Sequence, residues 1–109
     1  MSTPDLGALM RRAQEMQTRM AELQRDLARR RVQGSAGAGL VTATVSGELR
    51  VLQIEIDPQL LAGGDRAMLQ DLVAAAVNAG LATAQRMVQE EMQRAASAMQ
   101  LPTNADPPR

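Results

Sequence analysis

The sequence predicts an α+β fold, ordered helix, small antiparallel meander, helix, and three observations carry that expectation. Apolar residues recur at alternating steps of three and four from Leu6 to Leu27. Apolar and polar residues then alternate through residues 41–57, and the chain after Asp65 reads as a second long helix. At 109 residues this is one domain, expected over residues 1–102, with 103–109 as a disordered tail. With no Phe, Tyr or Trp, the core must be built from Leu, Val, Ile, Met and Ala. So thin a core predicts a dimer, in which a second copy covers apolar surface that one copy cannot bury.

Thr3 is placed to cap the first helix, with Pro4 at its first position and Asp5 beside the positive end of its dipole. Leu6, Leu9, Ala13, Met16, Met20, Leu23 and Leu27 form the seam of a helix that packs along another helix. It is expected to reach about Arg31, roughly 40 Å, which is long enough for part of it to project from the body. Glycines at 34, 37 and 39 break the helix and predict a short strand leading into a turn. Val41, Ala43 and Val45 alternate with Thr42, Thr44 and Ser46 in a half-buried strand, and Ser46-Gly47-Glu48 reads as a turn. Leu52, Ile54 and Ile56 alternate with Gln53, Glu55 and Asp57 in the next strand.

Asp57-Pro58 ends that strand and starts a helical turn through Leu60 and Leu61, stopped by Gly63-Gly64. Asp65 is a good cap for the last helix, which Leu101-Pro102 ends. Its middle, residues 74–80, is almost all small. Gly80 should cost about 1 kcal/mol against alanine there, and a close approach of another backbone would explain it.

Missing residue types exclude most chemistry. Without Cys or His there are no thiolate nucleophiles, disulfides, ordinary zinc sites or usual general base. All twelve basic residues are Arg, so Schiff-base chemistry and a Walker-type lysine are excluded too. The expectation is a protein that is not an enzyme and uses no cofactor, metal or small-molecule substrate. No signal peptide is evident, and no run approaches the roughly 20 apolar residues of a membrane span. A cytoplasmic protein without a membrane partner is therefore expected.

Three candidate sites have plainer readings. Residues 34–39 superficially resemble a phosphate loop but have the wrong glycine order and follow a helix, so they read as a strand connection. Glu55 and Asp57 share a strand face but lack a third ligand. Met16 and Met20 are one helical turn apart, yet no His or Cys completes a soft-metal set, and they read as adaptable packing surface.

The arginines are the functional candidates. Arg11, Arg12, Arg19, Arg25, Arg29, Arg30 and Arg31 lie in the first-helix segment against only Asp5, Glu15, Glu22 and Asp26, giving an excess of three positive charges in a neutral chain. The plain alternative pairs them with those acids at helical spacings. Arg29-Arg30-Arg31, however, has only Asp26 to pair with, and Arg30 takes a seam position. Arg86 and Arg94 on the last helix are expected near the first helix's free end if the two helices run antiparallel. Readers of single strands depend on aromatic stacking, which this chain lacks, so duplex DNA held by its phosphates is the better match.

Several segments in order resemble the bacterial YbaB/EbfC family of nucleoid-associated proteins. They are Leu9-Met10 with Ala13-Gln14 and Met16-Gln17, then Gly37-Ala38-Gly39-Leu40-Val41, Ile56-Asp57-Pro58 with Leu60-Leu61, Asp71-Leu72-Val73-Ala74-Ala75-Ala76 with Asn78, and Met99-Gln100-Leu101-Pro102. The resemblance implies an α-β-β-β-α protomer whose three-stranded antiparallel sheet is flanked by two long projecting helices. It also implies a tweezer-like homodimer joined through the sheet region, here through Val41, Val45, Leu52, Ile54 and Ile56. Family members bind duplex DNA in the nucleoid and are linked to gene regulation and chromosome organisation, with contacts attributed to the projecting helices. Those helices here correspond to the outer parts of residues 5–31 and 81–100, carrying Arg11, Arg12, Arg19, Arg86 and Arg94.

The chain departs from the family pattern in using Arg where lysines are usual and Val77 where Phe is common. Arg86 and Arg94 are also offset by Glu90 and Glu91. The resulting expectation is a homodimeric, cytoplasmic, nucleoid-associated protein that binds duplex DNA with weak sequence preference, bends, bridges or coats it, and affects gene expression. The alternative is a protein-interaction adaptor that grips a partner through the Met-rich seam, with DNA binding incidental.

Overall fold

A computed structural model describes residues 5–98. Its elements are α1 (Leu6–Arg29), β1 (Arg31–Ala36), β2 (Val41–Ser46), β3 (Val51–Ile56), α2 (Pro58–Ala62) and α3 (Arg66–Ala98). The strands form one antiparallel sheet in the order β1-β2-β3. This is the α-β-β-β-α arrangement the sequence predicts.

The caps explain most boundaries. Asp5, not Thr3, caps α1: its Oδ1 accepts from the amides of Gly7 and Ala8 at 3.1 and 3.3 Å. Thr3 and Pro4 lie outside the described residues, as does the expected tail. The helix ends at Arg29, two residues before the expected Arg31, because Arg30 is already extended (ψ 147°) and Arg31 pairs with Ser46 in the sheet. The apolar seam runs out at the same point, so nothing would bury another turn. Asp57 caps α2 by accepting from Gln59 at 2.8 Å, and Asp65 caps α3 by accepting from Met68 at 3.0 Å, both as expected.

Register assigns the faces of the sheet. Val32, Gly34 and Ala36 lie opposite Val45, Ala43 and Val41, and the last two lie opposite Ile54 and Ile56, so all share one face. A bulge at Leu52 lets Val45 pair with Val51. α3 crosses this face over β1 and β2 through Ala76, Gly80 and Ala84, all buried. Gly34 and Gly80 make the approach possible: a Cβ on Gly34 would stand 2.6 Å from the Gly80 Cα and 2.7 Å from the Ala76 carbonyl oxygen. Val41, Ala43, Leu60 and Ala76 then form the buried centre.

Two expectations about surfaces need correction. Val41 and Val45 are fully buried within one protomer, so they have no area to offer a second copy. Ile56 is half-buried and packs on the same core. Only Leu52 and Ile54 of the expected dimer contacts stay accessible, at 45% and 39%, because α3 leaves β3 largely uncovered. The second correction concerns α3, which contains an 18-residue stretch of mean hydropathy 1.3, long and apolar enough to cross a membrane by length and composition alone. That value owes much to alanines, and the helix lays its small residues against the sheet.

The molecule is elongated, measuring 78 × 33 × 15 Å. At 1.5 Å per residue α3 is about 50 Å long and α1 about 36 Å, so the long axis requires them to lie more nearly end to end than side by side. α1 is anchored at its C-terminal end, where Gly47 of the β2–β3 turn lies against the Leu27 carbonyl and donates its amide to the Arg30 carbonyl at 2.9 Å. Leu27 is the only buried residue of α1. Toward the free end, Leu6, Leu9 and Met10 are exposed.

Candidate nucleic-acid interface

The projecting part of α1 presents its arginines to solvent. Arg11, Arg12, Arg19, Arg25 and Arg29 are exposed, as are Arg31 at the start of β1 and Arg86 on α3. Among the described residues none of these seven has a carboxylate oxygen within 4.0 Å. Arg11, Glu15, Arg19 and Glu22 do line one shallow surface of α1, with Gln14 and Thr18 between them. Their helical spacing nevertheless produces no ion pair. The full solvated pairing suggested by residue spacing is therefore confined on α1 to Arg30 and Asp26, 3.2 Å apart.

Arg30 and Arg94 are the engaged members of the candidate set. Arg30 Nη1 lies 3.7 Å from Glu91 Oε1, and Arg94 Nη1 donates to that same oxygen. This arrangement corrects the expected position of the α3 arginines. Arg94 sits at the root of α1, beside Arg30, and Arg86 lies about 12 Å farther back along α3, whereas Arg12 is about 27 Å away along α1. The reason is the extended packing: α3 must first cross the sheet, so it draws level with α1 only near Glu91. The candidate cations thus form a distal group, Arg11, Arg12 and Arg19, and a root group, Arg25, Arg29, Arg30, Arg31 and Arg94, with Arg86 apart from both on α3.

The other candidates resolve into structural roles. Residues 37–40 form the β1–β2 turn, with positive φ at Gly37, Ala38 and Gly39. Glu55 accepts from Gln53 Nε2 at 3.2 Å on the polar face of the sheet, and Asp57 caps α2. No group of three metal-ligating side chains occurs among the described residues. Sequence reading missed Glu91 as an acceptor shared between two helices, since that contact joins distant parts of the chain.

The family profile of the YbaB/EbfC DNA-binding family matches residues 1–99. The chain belongs to this family. A nucleoid-associated protein, DP1429 of Desulfotalea psychrophila, is 42% identical over 98 residues, covering 90% of this chain and 92% of that protein. The crystal structure of the uncharacterized protein HP0035 from Helicobacter pylori superposes with a TM-score of 0.54 at 22% identity, covering 80% of this chain and 96% of that one. That likeness establishes a shared fold. Membership of YbaB/EbfC places the chain in a DNA-binding family.

Proposed function

We propose that this YbaB/EbfC protein is a homodimeric, nucleoid-associated protein that holds duplex DNA in the bacterial cytoplasm through arginines on its projecting helices. The observation that carries the reading is the α1 arm: about 36 Å of helix, roughly one turn of duplex, studded with arginines that no carboxylate among the described residues holds. Guanidinium forks match phosphate oxygens, and contacts confined to phosphates carry little sequence information. Two arms on one dimer would bend or bridge the duplex and thereby affect gene expression.

The second copy is expected on β3. This strand is an open sheet edge, and Val51, Leu52 and Ile54 leave apolar surface beside it. Pairing there would cover what α3 does not.

Reversing Arg11, Arg12 and Arg19 to Glu should abolish duplex binding in a gel-shift titration while the dimer persists in size-exclusion chromatography with light scattering. Unchanged affinity at low salt would remove these residues from the interface. One observation favours the adaptor reading: Leu6, Leu9 and Met10 leave apolar surface at the arm's tip. An apolar grip on a partner protein would be insensitive to added salt, whereas phosphate binding must weaken steeply.

A further inference from the structure

At the root of the arm, one carboxylate oxygen holds two of the candidate DNA-contacting arginines. Glu91 Oε1 receives Arg94 Nη1 and lies 3.7 Å from Arg30 Nη1, while Arg30 Nη2 reaches Asp26 Oδ2 at 3.2 Å. The carboxylate is the more sheltered partner: the Glu91 side chain is 22% exposed, against 44% for Arg30 and 70% for Arg94. Each guanidinium has five N–H donors, so both retain outward-facing capacity. Arg29 and Arg31 flank the pair without acidic partners within 4.0 Å among the described residues.

We infer that Glu91 is an internal competitor of DNA phosphate, holding Arg30 and Arg94 until a phosphodiester takes its place. Carboxylate and phosphate oxygens are alternative acceptors for the same fork. Ion pairs this exposed are weak and screened by salt, so a phosphate brought close by the neighbouring arginines can displace the carboxylate. The exchange has a geometric side. Arg30 is the residue that closes α1, and its contact with Glu91 ties that helix to α3, so releasing Arg30 removes a link that sets the arm's direction. The distal arginines, which have no acidic partner within 4.0 Å among the described residues, engage the duplex first and the root follows. Glu91 on this account is a positioning residue that acts through two arginines.

This inference rests on the DNA-binding reading above, and the test separates the two. Wild type, Glu91→Gln, Arg30→Ala/Arg94→Ala and the triple variant would be titrated as full chains against a fluorescein-labelled random duplex at several salt concentrations. Far-UV circular dichroism and light scattering would confirm an unchanged fold and assembly, and Glu91→Ala would guard against an effect peculiar to the amide. Glu91→Gln should bind about three- to tenfold more tightly at low salt, the gain that two exposed ion pairs per protomer correspond to. The gain should vanish in the Arg30→Ala/Arg94→Ala background. Wild-type affinity in Glu91→Gln overturns the inference, and so does an equal gain in the background lacking both arginines, which would mark general charge repulsion. Wild type failing to bind duplex at low salt would instead bring down the DNA reading, and the inference with it.

Discussion

Replacing Gly34 by Ala tests the packing that seats α3 on the sheet. The new Cβ would sit 2.6 Å from the Gly80 Cα, 2.7 Å from the Ala76 carbonyl oxygen and closer still to the Gly80 amide nitrogen. Carbon contacts are comfortable at about 3.5–4.0 Å, so α3 must retreat by roughly 1 Å or more. All three obstructing atoms are backbone, and no rotamer change relieves them. A gap of about 1 Å along the Ala76, Gly80 and Ala84 face forfeits up to half of the dispersion attraction there. Overpacking of this kind costs about 1–3 kcal/mol, and a rigid backbone neighbour places Gly34→Ala at the upper end.

Against this, alanine restricts the unfolded chain and returns about 0.5 kcal/mol. The expected net loss is about 2–3 kcal/mol out of a total of about 5–15 kcal/mol for a domain of this kind. Urea unfolding followed by far-UV circular dichroism suits a chain without aromatic side chains. It should be run at fixed protein concentration, because the proposed dimerisation would make the apparent stability depend on it. Ser35→Ala, one residue along on the exposed face, is the control and should change stability by less than about 0.5 kcal/mol. A Gly34→Ala midpoint equal to that of wild type, with the same slope, would refute the Gly34–Gly80 contact as a determinant of stability.

Three further outcomes are expected. In Arg11→Glu/Arg12→Glu/Arg19→Glu, any duplex binding that persists should show a shallower salt dependence, the slope of log affinity against log salt falling by about 0.9 for each phosphate no longer neutralised; an unchanged slope would place the phosphate-binding groups elsewhere. Leu52→Glu/Ile54→Glu should yield a folded monomer in sedimentation velocity, because both side chains are accessible in one protomer, and a persistent dimer would exclude the β3 surface as its seam. Asp5→Ala should remove about 1 kcal/mol of capping from α1. Its effect should be confined to faster amide exchange near Gly7 and Ala8, with the global midpoint unmoved, since the free end of the arm does not share the core.

The order of elements was legible because each carries its own period. The heptad of α1, the alternation of β2 and the Asp57 and Asp65 caps are local patterns with local causes. Gly80 was readable as a site of close approach, but its partner Gly34 was not, since the two are far apart in the chain. The alternation in β3 told which side chains share a face, yet not what lies above them. α3 covers β1 and β2 and leaves β3 open, so equally apolar strands end with opposite fates: Val41 and Val45 buried, Leu52 and Ile54 accessible. The arginine cluster stood out by composition, but spacing alone misjudged its pairing. Arg11 and Arg19 lie one turn from acids and make no bridge to them, whereas Arg30 reaches across to Glu91 on another helix.

The way α1 joins the body makes it a lever. Its attachment is concentrated at Leu27, Arg30 and the Gly47 turn, so a small rotation at that fulcrum is amplified along the shaft. Turning the helix by about 10° displaces Arg11 by roughly 5 Å, given about 28 Å of helix between Arg11 and Arg30. A side chain at the fulcrum thus governs where the tip lands without coming near whatever the tip touches. Substitutions at Leu27 or Gly47 should therefore alter the spacing between gripping points more than the strength of any one grip.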